Sequence, residues 1–144
     1  FTTNGEMPEK TAAYFIESKQ PVPESHGAFV RSSLESLALS YREVLDELEE
    51  TTGETLRTLH IVGGGSMNKL LNQLAANATG RRVLSGPSEA TAIGNVLIQS
   101  LALGYLGSLS EIRATVRNSF EIEEYLPQDQ PIWNQAYQHF LKLP

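Results

Sequence analysis

Residues 59–80 read LHIVGGGSMNKLLNQLAANATG, and this stretch decides the fold. Residues 59–62 form a short, mostly apolar run that enters three consecutive glycines, which is typical of a buried strand. Beyond the glycines, apolar residues recur at helical spacing until Gly80, where a helix C-cap is expected. The glycines therefore join a strand to the start of a helix.

The sequence after residue 80 predicts a second strand and three more helices. RRVLS, residues 81–85, has the pattern of a second short strand. Residues 86–90, GPSEA, predict a turn with Ser88 as the N-cap of a helix that runs to about Gly104, and Ser110 is the expected cap of the next helix. Because the crossover of a strand–helix–strand unit is right-handed, we expect its two strands to be parallel. The last predicted helix has an aromatic-rich face of Ile132, Trp133, Ala136, Tyr137, Phe140 and Leu141.

The whole chain, residues 1–144, is interpreted as a single partial domain of α/β class, rich in helices. It divides into a leading helix and linker over 1–22, a long amphipathic helix over 23–50, a βαβα unit with the glycine loop over 58–104, and C-terminal helices over 108–144. The apolar face predicted for the long helix consists of Phe29, Leu34, Leu37, Ala38, Tyr41, Leu45 and Leu48.

The two predicted strands do not make a complete sheet. Parallel strands are normally buried on both faces within larger sheets, and a pair of them would leave both outer edges with unpaired backbone groups. The chain also begins at Phe1 and not at Met. We therefore expect a C-terminal portion of a larger α/β protein, and we expect the isolated chain to self-associate, most simply as a two-fold dimer.

Composition narrows the class of protein and its partners. The chain has 144 residues, of which 40% are apolar and 19% charged, a balance ordinary for globular proteins. A formal net charge of −6 disfavours nucleic acid and anionic membrane as partners. The absence of cysteine excludes disulfides and thiolate metal sites, and it agrees with a cytoplasmic location. Nor does any apolar run approach the roughly 20 residues of a membrane helix.

The glycines have two possible explanations. A glycine turn that opens a helix is a common device for binding anions, so Gly63, Gly64 and Gly65 are candidates for contact with a nucleotide or phosphate. Alternatively, the turn needs glycine only for a positive φ. Two familiar motifs match poorly: the Lys-Ser/Thr end of a phosphate-binding loop is replaced by Ser-Met, and Asn68 stands where a dinucleotide fingerprint has its third glycine.

A longer stretch resembles a known family. HIVGGGSMNKLLNQLAANATGRRVLSGPSEATAIGNVLIQ, residues 60–99, resembles the C-terminal domain of the FGGY family of carbohydrate kinases. The resemblance extends upstream over residues 21–48 and to the final helix, within residues 125–143. It implies part of a ribonuclease-H-like, actin-like ATPase domain. In such kinases, ATP and sugar bind in the cleft between two domains of this kind.

The resemblance also implies roles for particular residues. Gly64 corresponds to a glycine that contacts ATP, and Gly63 and Gly65 complete its turn. Asn68 corresponds to an asparagine that approaches the nucleotide, and its amide can both donate and accept hydrogen bonds. ATP, with Mg²⁺ in the intact enzyme, is the implied cofactor. Ser66 is either a phosphate donor or a helix N-cap, and Lys69 is interpreted as a solvated lysine of the first helical turn.

Within the family, the resemblance implies phosphorylation of L-rhamnulose by ATP to give L-rhamnulose 1-phosphate. A kinase of fuculose, xylulose or glycerol is the enzymatic alternative, because the sugar contacts of this family lie upstream. The alternative from another class is a helical interaction module without catalytic activity, whose glycine turn is structural.

No catalytic base is evident in the chain. A sugar kinase needs a carboxylate to accept the proton of the attacking hydroxyl. Asp46 and Asp129 are the only aspartates, and both are far from the glycines in sequence. We therefore assign no catalytic or metal-binding residue, place the base and the sugar site upstream, and expect the chain alone to be inactive. The cluster at residues 121–124 is interpreted as solvated surface, and Gly94 as a site of close packing against the glycine-loop region.

Overall fold

A computed structural model describes residues 6–144 of the chain. Residues 1–5, with which the predicted leading segment begins, lie outside the described residues. The elements within 6–144 are α1 (Met7–Glu17), α2 (His26–Thr52), β1 (Thr58–Ile61), a 3₁₀ turn (Gly63–Met67), α3 (Lys69–Thr79), β2 (Arg82–Ser85), α4 (Ala90–Ala102), α5 (Leu109–Ser119), β3 (Glu123–Tyr125) and α6 (Gln130–Phe140).

Several helix ends lie where the sequence predicts them and others do not. Gly80 is the C-cap of α3, as expected, and Gly53 is the C-cap of α2. However, the N-cap of α5 lies two residues before the predicted one: the hydroxyl oxygen of Ser108, and not that of Ser110, accepts a hydrogen bond from the Glu111 N–H at 3.2 Å. The prediction of Ser88 as a cap is also wrong. The N-cap position of α4 is the next residue along the chain, and its side chain makes no capping bond.

The sheet has three strands in the order β1-β2-β3. β1 and β2 are parallel, with Leu59 opposite Val83, which confirms the predicted strand–helix–strand unit. β3 pairs antiparallel with β2, with Tyr125 opposite Val83, so the expectation of two unpaired edges is wrong for β2. The interpretation of residues 121–124 as solvated surface missed this strand, because three residues are too few to show alternation. An ion pair of 2.8 Å between Arg82 and Glu124 also joins the two strands.

The helix α3 lies at the centre of the packing. Eight of its eleven residues are buried, because it has neighbours on two sides. Its alanines let the neighbouring elements approach closely. Towards α2 and α6 the core consists of Ala38, Leu39, Leu74, Ala78, Trp133 and Tyr137. Towards the sheet it consists of Ala75, Ala76 and Val83, with the partly buried Tyr41, Leu59, Ile61 and Tyr125.

The apolar faces predicted for α2 and α6 are only partly buried. Leu37 and Leu48 of α2 are exposed, as are Ile132 and Leu141 at the C-terminal helix. Leu37 is exposed although the next two residues, Ala38 and Leu39, are buried in the core, so it lies at the margin of the packed face. Helical spacing indicates which residues share a face, whereas the position of the neighbouring elements decides how much of that face is covered.

The helix α4 packs mainly against α5, and neither helix buries a residue. A Cβ added at Gly94 would meet no atom within 4 Å, so the prediction of close packing at this glycine is wrong for the described residues. Across residues 6–144, none of the helices has the length and apolarity needed to cross a bilayer.

Candidate functional site

The 3₁₀ turn, called the glycine turn below, lies at the C-terminal end of β1 and leads into α3. It is connected by hydrogen bonds to the loop that follows β2. The N–H of Gly63 donates to the carbonyl of Pro87 at 3.2 Å, and the N–H of Gly86 donates to the carbonyl of Ile61 at 2.9 Å. The two loops therefore meet at the C-terminal edge of the parallel strands, where α/β proteins commonly bind ligands.

The three glycines of the turn differ in what the fold requires of them. Gly63 has a φ of 74°, a conformation that favours glycine, whereas Gly64 and Gly65 do not have a positive φ. A Cβ added at Gly64 would meet no atom within 4 Å, and one at Gly65 would lie 3.9 Å from Cγ2 of Ile61. The explanation from positive φ therefore covers Gly63 alone. Nothing in the fold prevents a side chain at Gly64.

Asn68 is the N-cap of α3. Its Oδ1 accepts a hydrogen bond from the N–H of Leu71 at 3.0 Å, so the cap of this helix is Asn68 and not Ser66. The side chain is exposed, and its amide nitrogen makes no hydrogen bond with other residues of the described range 6–144. Asn68 therefore lies at the junction of the glycine turn and α3 with two N–H donors available.

Three polar residues hold the glycine turn against the sheet, and we call them the Ser66 clamp: Ser66, Asn72 and Ser85. The carbonyl of Ser66 accepts hydrogen bonds from Nδ2 of Asn72 and from Oγ of Ser85, each at 2.8 Å. Nδ2 of Asn72 also donates to Oγ of Ser85 at 2.8 Å. The hydroxyl of Ser66 donates within the turn to the carbonyl of Gly63 at 2.7 Å. The two possible roles predicted for Ser66 did not include this internal bond.

Asn72 and Ser85 were not predicted as site residues from the sequence. Asn72 lies next to the leucines of an amphipathic pattern, and that pattern assigns it no role. The available signal was the run of alanines at residues 75, 76 and 78, because a helix of small residues can be buried on several sides. A polar residue on such a helix then needs partners inside the protein.

A second polar group links the start of α3 to β3. Lys69 forms an ion pair with Glu123, and the hydroxyl of Tyr125 donates to the same carboxylate. Lys69 chiefly, and Tyr125 next, hold the pKa of Glu123 below its usual value. Burial and then Glu123 raise the pKa of Tyr125. The prediction for Lys69 is partly right: the side chain is 74% exposed, but it has a partner.

A cavity of about 280 Å³ is lined in part by the Ser66 clamp. Ser66, Lys69, Ser85, Ser88 and Glu123 are among the residues that line it. The glycines of the turn and Asn68 are not among its lining residues. The predicted site residues thus lie in the glycine turn and directly after it, at the C-terminal edge of the parallel strands. The cavity lies at the same edge and shares only Ser66 and Met67 with the turn.

The two aspartates belong to other elements. Asp46, in α2, forms ion pairs with Arg42 at 3.8 Å and with Arg81 at 3.4 Å. Asp129 occupies the N-cap position of α6. Within residues 6–144, no three or more histidine, aspartate or glutamate side chains are grouped so that they could hold a metal ion.

Comparison with known proteins identifies the family. The model described as "FGGY family of carbohydrate kinases, C-terminal domain" matches residues 5–103, more than two thirds of the chain. The chain belongs to the FGGY family of carbohydrate kinases. The range that matches this FGGY domain contains the glycine turn, the Ser66 clamp and both parallel strands.

Relatives of this FGGY chain match it almost from end to end. It is 45% identical over 140 residues to the protein named Rhamnulokinase of Bacteroides thetaiotaomicron, which covers 97% of this chain and 29% of the relative. It is 42% identical over 146 residues to the Rhamnulokinase of Enterococcus faecalis, covering 99% of this chain and 29% of the relative. The chain therefore spans less than a third of the length of these relatives.

Proposed function

We propose that this chain is the ATP-binding portion of a sugar kinase and that the glycine turn contacts the nucleotide. The proposed reaction of the full-length protein is transfer of a phosphoryl group from ATP to L-rhamnulose, giving ADP and L-rhamnulose 1-phosphate. The family supports the reaction type. The two relatives, both named Rhamnulokinase at 42% and 45% identity, support the sugar over fuculose, xylulose or glycerol.

The conformation of Gly64 carries the proposal for the site. Glycine at an exposed position without positive φ brings no benefit to the fold, and it makes the unfolded chain more flexible. A ligand that approaches the backbone closely gives a reason to keep it, because a Cβ would stand in the way. In the proposed complex Gly64 contacts ATP, Gly63 and Gly65 shape the turn, and Asn68 donates from its amide to the adenine edge or the ribose.

The remaining parts of the kinase are proposed to lie in the rest of the full-length protein. The catalytic base and the sugar site are assigned there, because both aspartates of this chain belong to other elements. Mg²⁺ is proposed to arrive with the phosphates of ATP and to neutralise their charge. The chain would form part of a ribonuclease-H-like, actin-like ATPase domain of a cytoplasmic enzyme, and it would be inactive alone.

The test of the site is Gly64→Val in the full-length protein. The open surroundings of Gly64 predict an unchanged fold, and the branched side chain shields the backbone amide from ATP. Loss of one hydrogen bond to a charged group should raise the KM for ATP about tenfold or more. Gly27→Val is the matched control, since Gly27 is also exposed, has no positive φ and has no atom closer than 4.0 Å to an added Cβ.

Steady-state kinetics and circular dichroism give the answer. An unchanged KM for ATP in a folded Gly64→Val variant would mean that the turn is structural, as the non-catalytic alternative requires. The sugar is tested separately by comparing kcat/KM for L-rhamnulose, fuculose, xylulose and glycerol. A higher value for any of the other three would contradict L-rhamnulose as the substrate.

A further inference from the structure

We propose that Asn72 is a positioning residue for nucleotide binding: through the carbonyl of Ser66 it holds the glycine turn in the orientation that receives ATP. The inference rests on the proposed function of the turn. Asn72 is fully buried, and its side chain forms no hydrogen bond with the glycines of the turn among residues 6–144. The proposal gives this residue an effect on the affinity for ATP.

The geometry places Asn72 between the three elements that meet at the site. It belongs to α3, it is fully buried, and its Nδ2 donates to Ser66 in the glycine turn and to Ser85 in β2. Ser85 is also buried and donates to the same Ser66 carbonyl. One carbonyl of the turn is thus fixed from two directions, by a helix and by a strand.

The position of Ser66 determines the position of the glycines. Ser66 follows Gly65 directly, and its hydroxyl donates to the carbonyl of Gly63, which closes the turn on itself. Glycines confer little rigidity of their own, because they lack the Cβ that restricts φ and ψ. The orientation of the amides at Gly64 and Gly65 therefore depends on the bonds that hold the next residue, and Asn72 makes one of them.

The chemistry of Asn72 supports a purpose beyond filling the core. Its Oδ1 is buried and has no hydrogen-bond partner among residues 6–144. An unpaired buried acceptor is destabilising, and an apolar side chain of similar volume would avoid that loss. The chain has an amide here although only its two N–H groups form hydrogen bonds. Both of them donate to the other members of the Ser66 clamp, Ser66 and Ser85.

Asn77 provides a matched control on the same helix. It is also a buried asparagine of α3, and its Oδ1 accepts from Nε2 of Gln73 at 2.7 Å and from the N–H of Gln128 at 3.0 Å. None of these bonds involves the glycine turn. Substituting Asn77 removes the hydrogen bonds of a buried side-chain amide from α3 and leaves the Ser66 clamp intact.

The experiment measures the KM for ATP and for the sugar in full-length variants. Asn72→Leu keeps the number and branching of the side-chain heavy atoms and removes both donors. We expect the KM for ATP to rise about fivefold while the KM for the sugar is unchanged. Ser85→Ala, the mildest change, removes one of the two bonds to Ser66 and should raise the KM for ATP about twofold. Asn77→Ala should leave both KM values unchanged.

The outcomes separate the two proposals. If Gly64→Val raises the KM for ATP but Asn72→Leu and Ser85→Ala do not, the positioning role is wrong and the ATP site stands. If Asn77→Ala raises the KM for ATP as much as Asn72→Leu does, the effect is a general loosening of α3, and the positioning role is wrong as well. If Gly64→Val has no effect, the proposed site itself fails. If the Asn72→Leu variant does not fold, the KM for ATP of the Ser85→Ala variant tests the positioning role.

Discussion

Gly53 and Gly80 end α2 and α3 with nearly the same backbone conformation, φ 70° and φ 66°, but their surroundings differ. A Cβ at Gly53 would meet no atom within 4 Å, whereas one at Gly80 would lie 2.8 Å from Oε1 of Gln130. The amide nitrogen of Gln130 donates to the carbonyl of Asn77 at 2.8 Å and so joins the start of α6 to α3. Glycine at residue 53 is therefore needed only for the backbone conformation. At residue 80 it is needed for that conformation and also for the close contact with Gln130.

Alanine at each position should separate these two effects. Gly53→Ala introduces only left-handed strain and should lower the free energy of unfolding by about 1 kcal/mol. Gly80→Ala also displaces Gln130 and removes the hydrogen bond from Gln130 to Asn77. It should therefore lower the free energy of unfolding by about 2 kcal/mol. Urea denaturation of the two variants measures the difference. Equal losses would mean that Gln130 moves aside without consequence.

At the scale of the elements, Arg81 links the segment before β1 to α2 through ion pairs and a hydrogen bond. It is only 13% exposed, it pairs with Glu49 at 2.8 Å and with Asp46 at 3.4 Å, and its Nε donates to the carbonyl of Leu56 at 2.8 Å. The carboxylate of Glu49 also accepts from the N–H of Leu56 at 2.6 Å. The long helix and the segment before the first strand are thus connected by charged side chains.

This connection predicts a pH-dependent contribution to stability. The backbone N–H of Leu56, and then Arg81, lower the pKa of Glu49 from its ordinary value of 4.5. A carboxyl whose pKa is lower in the folded state stabilises the fold above its unfolded pKa, and this contribution is lost as the pH falls through the folded pKa. Glu49→Gln should therefore destabilise the protein at neutral pH and progressively less below pH 4.5.

Chemical denaturation from about pH 7 to about pH 3 tests this. Glu50→Gln is the control, because Glu50 is the neighbouring residue, is exposed and forms no ion pair with other residues in the range 6–144. A difference between wild type and Glu49→Gln that stays constant across the whole pH range would show that the charge of Glu49 does not stabilise the fold.

At the scale of the molecule, one edge of the sheet is left unpaired and apolar side chains of α4 are left exposed within residues 6–144. β3 covers the outer edge of β2, whereas no strand within residues 6–144 pairs with the other edge of β1. Val96 of α4 is 61% exposed, and Leu103, directly after the end of α4, is 74% exposed. Since the chain is less than a third as long as its relatives, we propose that these surfaces contact the rest of the full-length protein.

The isolated chain should therefore self-associate through these surfaces, most simply as a two-fold dimer. Light scattering over a range of concentrations measures the mass. Val96→Asp should weaken the association, because burying an unpaired charge in an apolar contact is unfavourable. Ile16→Asp, a change of similar exposure on α1, should leave it unaffected. A monomer at high micromolar concentration would contradict the proposal.

Sequence by itself determined the features that depend on neighbouring residues. The apolar run at residues 59–62, the glycines after it and the spacing of leucines up to Gly80 predicted β1, the turn and α3, and the structure confirms them. Backbone conformation and helix capping depend on residues close in sequence, so a short stretch of sequence is enough to predict them. The roles of Gly63, Gly64, Gly65 and Asn68 in nucleotide binding remain predictions from family resemblance.

Only the tertiary structure decided what depends on residues distant in sequence. β3 exists because it pairs with β2, about 40 residues earlier, although its own three residues carry no strand signal. Asn72 is polar, but it is buried because α3 has neighbours on two sides, and its partners Ser66 and Ser85 come from the turn and from β2. Burial and hydrogen-bond pairing follow from which elements meet. That is a property of the packing, and the pattern of one segment does not contain it.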